Sequence, residues 1–186
     1  MSPVGHSIVG LAFAAVALPR RVNRKWLIGL PIAFVALASL PDWPIPSWGH
    51  DRYDISHSIF VNISLIGLVV LLWCMVPMFR SLIHARCLCL GAAAWLSHLL
   101  LDSFYNHSRG VAICWPFSDA RLNFPIPWFN TLDLSQSIAS PHNLSVYIIE
   151  FMAYLPVLIM AVGFRKLINR HNKTIEPGTN DAIRSS

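Results

Sequence analysis

Five apolar runs separated by polar stretches dominate the hydrophobic pattern of the chain. They cover residues 4–18, 26–40, 57–79, 87–104 and 142–164. A helix needs about 20 mostly apolar residues to cross a bilayer, and the third and fifth runs reach that length. The pattern therefore predicts an all-α membrane protein with about five transmembrane helices, of which the first is the shortest.

The polar stretches between the runs predict the orientation of the chain. Most of the 14 Lys and Arg residues follow the first, third and fifth runs, and basic residues concentrate on the cytoplasmic side of a membrane. We therefore expect the N-terminus outside and the C-terminus in the cytoplasm. The outer connections are then the short segment 41–56 and the long segment 103–141. The aromatic and proline residues of the long segment predict an ordered lid.

Composition agrees with a membrane protein in one domain. Charged residues make up 12% of the chain, whereas about 25% is usual in soluble domains. We expect residues 1–171 to form a single transmembrane domain with a metal site, and 172–186 to form a disordered cytoplasmic tail. The net charge of +5 lies mainly beside apolar runs, which favours membrane topology over nucleic-acid binding. The four cysteines lack CxxC spacing, which argues against a cysteine zinc site.

Candidate chemistry gathers at the predicted outer face. His98 and Asp102 are four residues apart, so they share one face of a helix, and ionisable groups in a membrane span are usually functional. Imidazole nitrogen and carboxylate oxygen are zinc ligands, although a structural pair joining two helices is an alternative. The candidate ligands from four of the runs and their outer ends are His6, Asp42, His57, His98 and Asp102.

Several short motifs follow one another along the first two thirds of the chain. They are GHS at 5–7, LPD at 40–42, SHS at 56–58, HxxxD at 98–102 and WPFS at 115–118. In this order they resemble the YdjM-like inner-membrane metal-dependent hydrolases over residues 1–118. The resemblance implies a bacterial inner-membrane protein in which the five candidate ligands bind metal. The order of His and Asp is also similar to zinc-dependent phospholipase C.

The chain departs from that family pattern in two places. Pro44 stands where the family often has a second acidic residue, and His-Asp-Arg-Tyr-Asp at 50–54 replaces its usual His-Arg-Gly. His50, Asp51 and Asp54 are candidates for the missing family role, and the number of bound ions, one or two, stays open. The sequence contains neither GxSxG nor HExxH, so a serine hydrolase elbow and the common zinc protease signature are absent.

These observations predict a membrane-bound hydrolase of phosphoester or other ester bonds, with a lipid or lipid-linked substrate and a divalent metal, zinc being favoured. Asp54 is the candidate general base, and Arg52 is the candidate phosphate-binding group. Glu150, inside the fifth run, is predicted to support the structure rather than to bind metal. The aromatic residues Trp115, Phe117 and Trp128 are predicted to contact acyl chains or to anchor the lid in the interface.

Two other classes of protein fit the same residues. A transporter would use the His and Asp groups to carry metal ions or protons, but it needs a polar path to the cytoplasm. The inner halves of the predicted spans carry few polar residues. A non-catalytic membrane adaptor would need no metal at all.

Overall fold

A computed structural model describes residues 3–19, 23–106 and 110–175, without the side chains of residues 50, 51 and 171–175. Within these ranges the chain forms seven α-helices and no β-strand, which confirms the predicted all-α class. The helices are α1 (Pro3–Ala17), α2 (Arg24–Ala38), α3 (Tyr53–Ser56), α4 (Ile59–Met75), α5 (Pro77–Leu82), α6 (Ala85–Asp102) and α7 (Pro141–Ile175). Two short 3-10 turns, Leu40–Asp42 and Gly49–Arg52, lie in the first outer connection.

Each of the five predicted apolar runs contains one longer helix, namely α1, α2, α4, α6 or α7. Among the described residues, two helices are long and apolar enough to cross a membrane, α6 and the Pro141–Arg170 part of α7. The apolar helices α1 and α4 are shorter, with 15 and 17 residues. That the chain crosses the membrane five times, and in which orientation, therefore stays a prediction.

The third apolar run is not one continuous helix. Helix α4 ends at Met75, and Val76 has extended backbone angles (φ −106°, ψ 105°) before α5 begins at Pro77. Proline disfavours helical geometry in the residue before it and lacks an amide to donate, so Pro77 explains the break. By residue type and position, Ser56 is the predicted N-cap of the third run. The N-cap in the structure is instead Ser58, whose hydroxyl accepts from the amide of Val61 at 3.4 Å.

Helix α1 lies at the centre of the bundle, in contact with α2, α6 and α7. Its approach to α2 is close, since a Cβ on Gly10 would lie 2.8 Å from the carbonyl oxygen of Phe34. A glycine at this position therefore lets the two backbones pack together. One cluster of buried side chains contains residues of α1, of α6, of the long outer connection and of α7: Ile8, Val9, Leu101, Tyr105, Phe129 and Tyr154.

Polarity is distributed in the opposite sense to that of a water-soluble bundle. The fully or almost fully buried side chains include polar ones from four helices and from the junction between α3 and α4: His6, His57, Asn62, His98, Asp102, Asn143 and Glu150. By contrast, large apolar side chains such as Met75 and Met152 are well exposed on α4 and α7. Interhelical polar contacts with an apolar exterior are what a lipid environment favours.

The long outer connection is tied to the helices on either side by backbone hydrogen bonds. The amide of Ile59, at the start of α4, donates to the carbonyl of Ile113 at 2.9 Å. The amide of Phe124 donates to Ser103, just after α6, at 2.7 Å. His107 and Arg109 of this segment lie outside the described residues. The described part of the connection is therefore anchored beside the ends of α4 and α6.

The structure describes the predicted domain (1–171) and the predicted tail (172–186) only in part. Helix α7 continues to Ile175, so residues 172–175 of the predicted tail are helical. Residues 176–186 lie outside the described residues, as do Arg20 and Arg21 of the first basic stretch. The division into domain and tail stays a prediction.

Candidate metal centre

The end of α6 supplies one imidazole and one carboxyl group to a buried cluster. His98 and Asp102 lie one turn apart on this helix, and both are buried. His98 Nε2 is 3.6 Å from Asp102 Oδ1. The predicted placement of this pair on one helical face is therefore confirmed.

Asp42 joins the cluster from the 3-10 turn that follows α2. The indole Nε1 of Trp48 donates to the carbonyl of Leu40 at 2.9 Å and so holds this turn. Asp42 Oδ1 lies 3.3 Å from His57 Nε2 and 3.6 Å from His98 Nε2. The Asp42 side chain is 23% exposed, whereas those of His57, His98 and Asp102 are buried, so solvent reaches the cluster beside Asp42.

His57 lies between α3 and α4 with its ring oriented by its neighbours. Its Nδ1 is 3.1 Å from the carbonyl of Tyr53 and 2.8 Å from Oγ of Ser56. The Ser56 hydroxyl in turn donates to the carbonyl of Gly49 at 3.2 Å. These contacts place the proton on Nδ1 and leave Nε2 directed at Asp102, whose Oδ2 is 3.2 Å away.

His98 is oriented in the same way. Its Nδ1 is 2.8 Å from the carbonyl of Ala38, at the end of α2. Metal-binding histidines almost always donate the other ring N–H to a carbonyl or carboxylate, which fixes the tautomer and turns the free nitrogen to the metal. Both His57 and His98 meet that description.

The spacing of the ligand atoms is compatible with a small divalent ion. Ligands about 2.0–2.1 Å from a zinc ion at tetrahedral angles lie about 3.3 Å from one another. The four His–Asp separations are 3.2 to 3.6 Å, with His57 nearest to Oδ2 of Asp102 and His98 nearest to its Oδ1. The two Nε2 atoms of His57 and His98 are 3.3 Å apart. One ligand atom from each of Asp42, His57, His98 and Asp102 lies within 4.8 Å of every other. The donor set of two nitrogens and two oxygens therefore fits a divalent metal.

Several polar atoms at the centre are buried without a hydrogen-bond partner. They include both ring nitrogens of His6 and the Oδ1 atoms of Asp42 and Asp102. Burial raises the pKa of the Asp42 carboxyl, but its close polar contacts with the imidazoles of His57 and His98 outweigh burial and hold the pKa well below its usual range. Asp42 is therefore ionised at neutral pH, as a metal ligand must be.

His6, the fifth predicted ligand, lies beside the group of four rather than within it. Its Nε2 is 3.3 Å from Asp102 Oδ1, and its ring stacks on that of His98 with the centroids 4.0 Å apart. The structure thus brings all five predicted residues together. Their role as metal ligands stays a prediction.

Three residues around the cluster were missing from the predicted site. Tyr53 stacks on His57 with the ring centroids 3.8 Å apart, and its hydroxyl is 3.5 Å from Asp102 Oδ2. Burial, together with the charges of Asp102 and Asp42, raises the pKa of the Tyr53 phenol, which therefore stays protonated. Its position four residues before His57 is the signal in the sequence that would have suggested a shared face.

Asn62 and Trp95 support the cluster from below. Asn62 Nδ2 donates to the carbonyls of Ser56 and Ser58, at 2.8 and 2.7 Å, and these two residues flank His57. Trp95 Nε1 donates to Asn62 Oδ1 at 2.7 Å. The sequence signal for Asn62 was its polar side chain inside the apolar third run, because a polar residue in such a run needs a hydrogen-bond partner.

The predicted catalytic residues lie away from these contacts. Asp54 Oδ1 pairs with Arg121 Nη2 at 2.9 Å, and both side chains are partly exposed. Arg52 is exposed. His142 Nε2 contacts the carbonyl of Thr131 at 3.0 Å instead of the cluster. The catalytic roles of Asp54 and Arg52 stay predictions, as does any role of the His50 and Asp51 side chains, which lie outside the described part of the chain.

Comparisons with known proteins agree with the resemblance seen in the motifs. The family model described as YdjM inner membrane protein matches residues 1–168, well beyond the 118 residues that carry the motifs. Comparisons with curated proteins and with solved structures gave no significant match. The family description fits the two helices that are long and apolar enough to cross a membrane. The chain belongs to the YdjM inner membrane protein family and is a protein of the inner membrane.

Proposed function

We propose that the protein is a metal-dependent hydrolase whose site binds zinc between Asp42, His57, His98 and Asp102. The observation that carries the proposal is the gathering of two imidazoles and two carboxylates from three separate parts of the chain, with one ligand atom of each residue within 4.8 Å of every other and His–Asp separations of 3.2 to 3.6 Å. A zinc ion held by these four residues would lower the pKa of a bound water towards about 7 and so would supply hydroxide at neutral pH.

The residues of the chain have distinct roles in this proposal. The buried imidazoles of His57 and His98 hold the ion through Nε2, and the two carboxylates offset its charge. Asp42 lies at the partly exposed side, where water and the ester bond of a substrate reach the centre. Tyr53 lies over His57 and faces Asp102, and its protonated hydroxyl supports the orientation of that carboxylate.

Asp54 and Arg52 complete the proposal as the candidate general base and the candidate phosphate-binding group. Asp54 would accept a proton from the attacking water, and its partner Arg121 would hold the carboxylate in place. Arg52 would bind the phosphate of a phosphoester, since its guanidinium matches phosphate geometry. Both groups belong to the stretch 50–54 that replaces the usual family motif.

A lipid-like substrate is supported by an apolar cavity among the helices that carry the centre. The cavity has a volume of about 300 Å³ and lies between α2, α4, α6 and the end of α5. Its lining includes Leu37 and Trp95, which precede Asp42 and His98 by five and three residues on their respective segments. An acyl chain in the cavity would thus lie within the membrane below the ester bond. In the outer connection, Phe117 and Trp128 are highly exposed and available to contact lipid.

The first experiment is metal analysis of the purified full-length protein, together with hydrolysis of a panel of phosphodiesters and carboxylic esters carrying short and long acyl chains. We expect one or two zinc ions per chain and metal-dependent hydrolysis of part of the panel. His98→Ala should lose more than about 100-fold in zinc affinity, since even groups that only orient a ligand contribute 10–100-fold. His142→Ala, which changes an exposed histidine outside the cluster, is the matched control.

Other outcomes would overturn the hydrolase proposal in favour of the alternative classes. If the purified protein is fully folded but contains no metal, the result would indicate a membrane adaptor. Zinc uptake into sealed vesicles without hydrolysis would indicate a transporter.

A further inference from the structure

Helix α1 is held at its N-terminal end by a carboxylate from another helix. The amide of Gly5 donates to Oε2 of Glu150 at 2.8 Å, in a buried contact between α1 and α7. Gly5 is the third residue of α1, so its amide has no acceptor within the helix. Glu150 is only 1% exposed and provides that acceptor.

The other end of α1 is held by two arginines. Arg86 Nη2, from α6, donates to the carbonyl of Val16 at 2.7 Å. Arg165 Nη2, from α7, donates to the carbonyl of Pro19 at 3.2 Å. An anion at the N-terminal end and cations at the C-terminal end match the helix dipole. Three ionic side chains therefore oppose any sliding of α1 along its axis.

The contact at Gly5 depends on close packing that a larger residue would prevent. A Cβ at this position would lie 2.7 Å from Cε2 of Tyr154 and 3.1 Å from the hydroxyl of Tyr105. Only glycine lets α1 approach α7 closely enough for its amide to reach Glu150. A buried carboxylate among apolar helices is costly unless it is paired or hydrogen-bonded, so this arrangement has a definite structural purpose.

That purpose concerns His6, the residue that directly follows Gly5. Each residue of an α-helix advances about 1.5 Å along the axis, so a small slide of α1 would separate His6 Nε2 from Asp102 Oδ1, now 3.3 Å apart. We propose that Glu150 is a positioning residue that fixes the axial register of α1 and thereby holds His6 against Asp102 in the metal centre. This inference rests on the proposed function in so far as His6 contributes to metal binding.

The test compares zinc affinity in full-length protein by competition with a chromogenic chelator. Glu150→Ala is expected to weaken binding about 10-fold, the lower end for groups that orient a ligand. Glu150→Gln should keep most of the affinity, because its amide oxygen still accepts from Gly5. Met152→Ala, an exposed position on the same helix, is the control and should change nothing.

A double-variant cycle separates positioning from general destabilisation. If Glu150 acts through His6, Glu150→Ala causes no further loss of zinc affinity in protein that already carries His6→Ala. Losses that add in full would overturn the inference, because they would mean that Glu150 acts on the rest of the site. Should Glu150→Ala fail to fold, Glu150→Asp, with a carboxylate one methylene shorter, replaces it with the same expectations.

Hydrogen–deuterium exchange at Gly5 provides a readout that needs no metal. We expect the Gly5 amide to be protected in the wild type and in Glu150→Gln, and to exchange at least about tenfold faster in Glu150→Ala. Equal exchange in all three would overturn the inference even if zinc binds. If the wild type binds no zinc, the proposed function fails, while the exchange of Gly5 still tests the register of α1.

Discussion

The indole of Trp95 on α6 is hydrogen-bonded to the amide of Asn62 on α4, with 2.7 Å between Nε1 and Oδ1. The other end of the Asn62 amide donates to the carbonyls on both sides of His57. One side chain therefore links the helix that carries His98 to the segment that carries His57. All of its hydrogen-bonding capacity is directed at holding these two segments in a fixed relation.

We expect Asn62→Leu to damage both stability and metal binding. The substitution leaves buried polar groups without a partner, which costs about 1–3 kcal/mol for each, and it releases the backbone around His57. Thermal unfolding in detergent should show a lower midpoint, and zinc affinity should fall about 10-fold. Ser64→Leu, at an exposed position of the same helix, is the control. An unchanged zinc affinity in Asn62→Leu would show that the link does not support the centre.

Asp54→Asn is expected to lower turnover without removing metal. A general base typically contributes a factor of about 10²–10⁴, and Asp54 contacts Arg121 rather than the four clustered ligands. Zinc content measured beside the hydrolysis rate separates the two effects. Arg121→Ala is the companion variant, since it removes the partner and keeps the carboxylate. An equal loss of turnover in both variants would show that the ion pair shapes the loop and that Asp54 is not the base.

Filling the apolar cavity should change the preference for acyl chain length. Ala92 lines the cavity on α6, so we expect Ala92→Leu to slow hydrolysis of long-chain esters about tenfold or more and to spare short-chain ones. The physical reason is competition for the same apolar volume, at about 0.8 kcal/mol for each buried methylene. Ala93→Leu makes the same change on the neighbouring residue, which is not part of the lining. Identical effects of the two variants on both esters would rule out an acyl site.

The orientation of the chain is testable in a variant whose native cysteines are replaced. We expect a membrane-impermeant maleimide added to spheroplasts to label Asp119→Cys in the long outer connection, because that segment lies outside in the predicted topology. Ser81→Cys, between the third and fourth runs, should react only after the membrane is opened. Both positions are exposed in the structure. The reverse labelling pattern would invert the topology.

The sequence alone determined the helical class, the five helical runs and the identity of the clustered residues. These follow from local or one-dimensional signals, namely apolar run length and the spacing of His and Asp in ordered motifs. The same signals missed the break at Pro77 within the third run, because the apolar run continues through it. They also placed the N-cap at Ser56 instead of Ser58, since both serines flank the same histidine and differ only in tertiary contacts.

Only the tertiary structure decided which atoms face one another. Ala38 and His98 are 60 positions apart in the chain, and Gly5 and Glu150 are 145 positions apart. Helix packing brings both pairs into contact, which local sequence patterns do not encode. Packing also separated Asp54, paired with Arg121, from the cluster at Asp42, and it brought Tyr53 onto His57. The physical reason is that ligand geometry depends on sub-ångström placement of several helices at once, whereas the sequence specifies only which side chains are available.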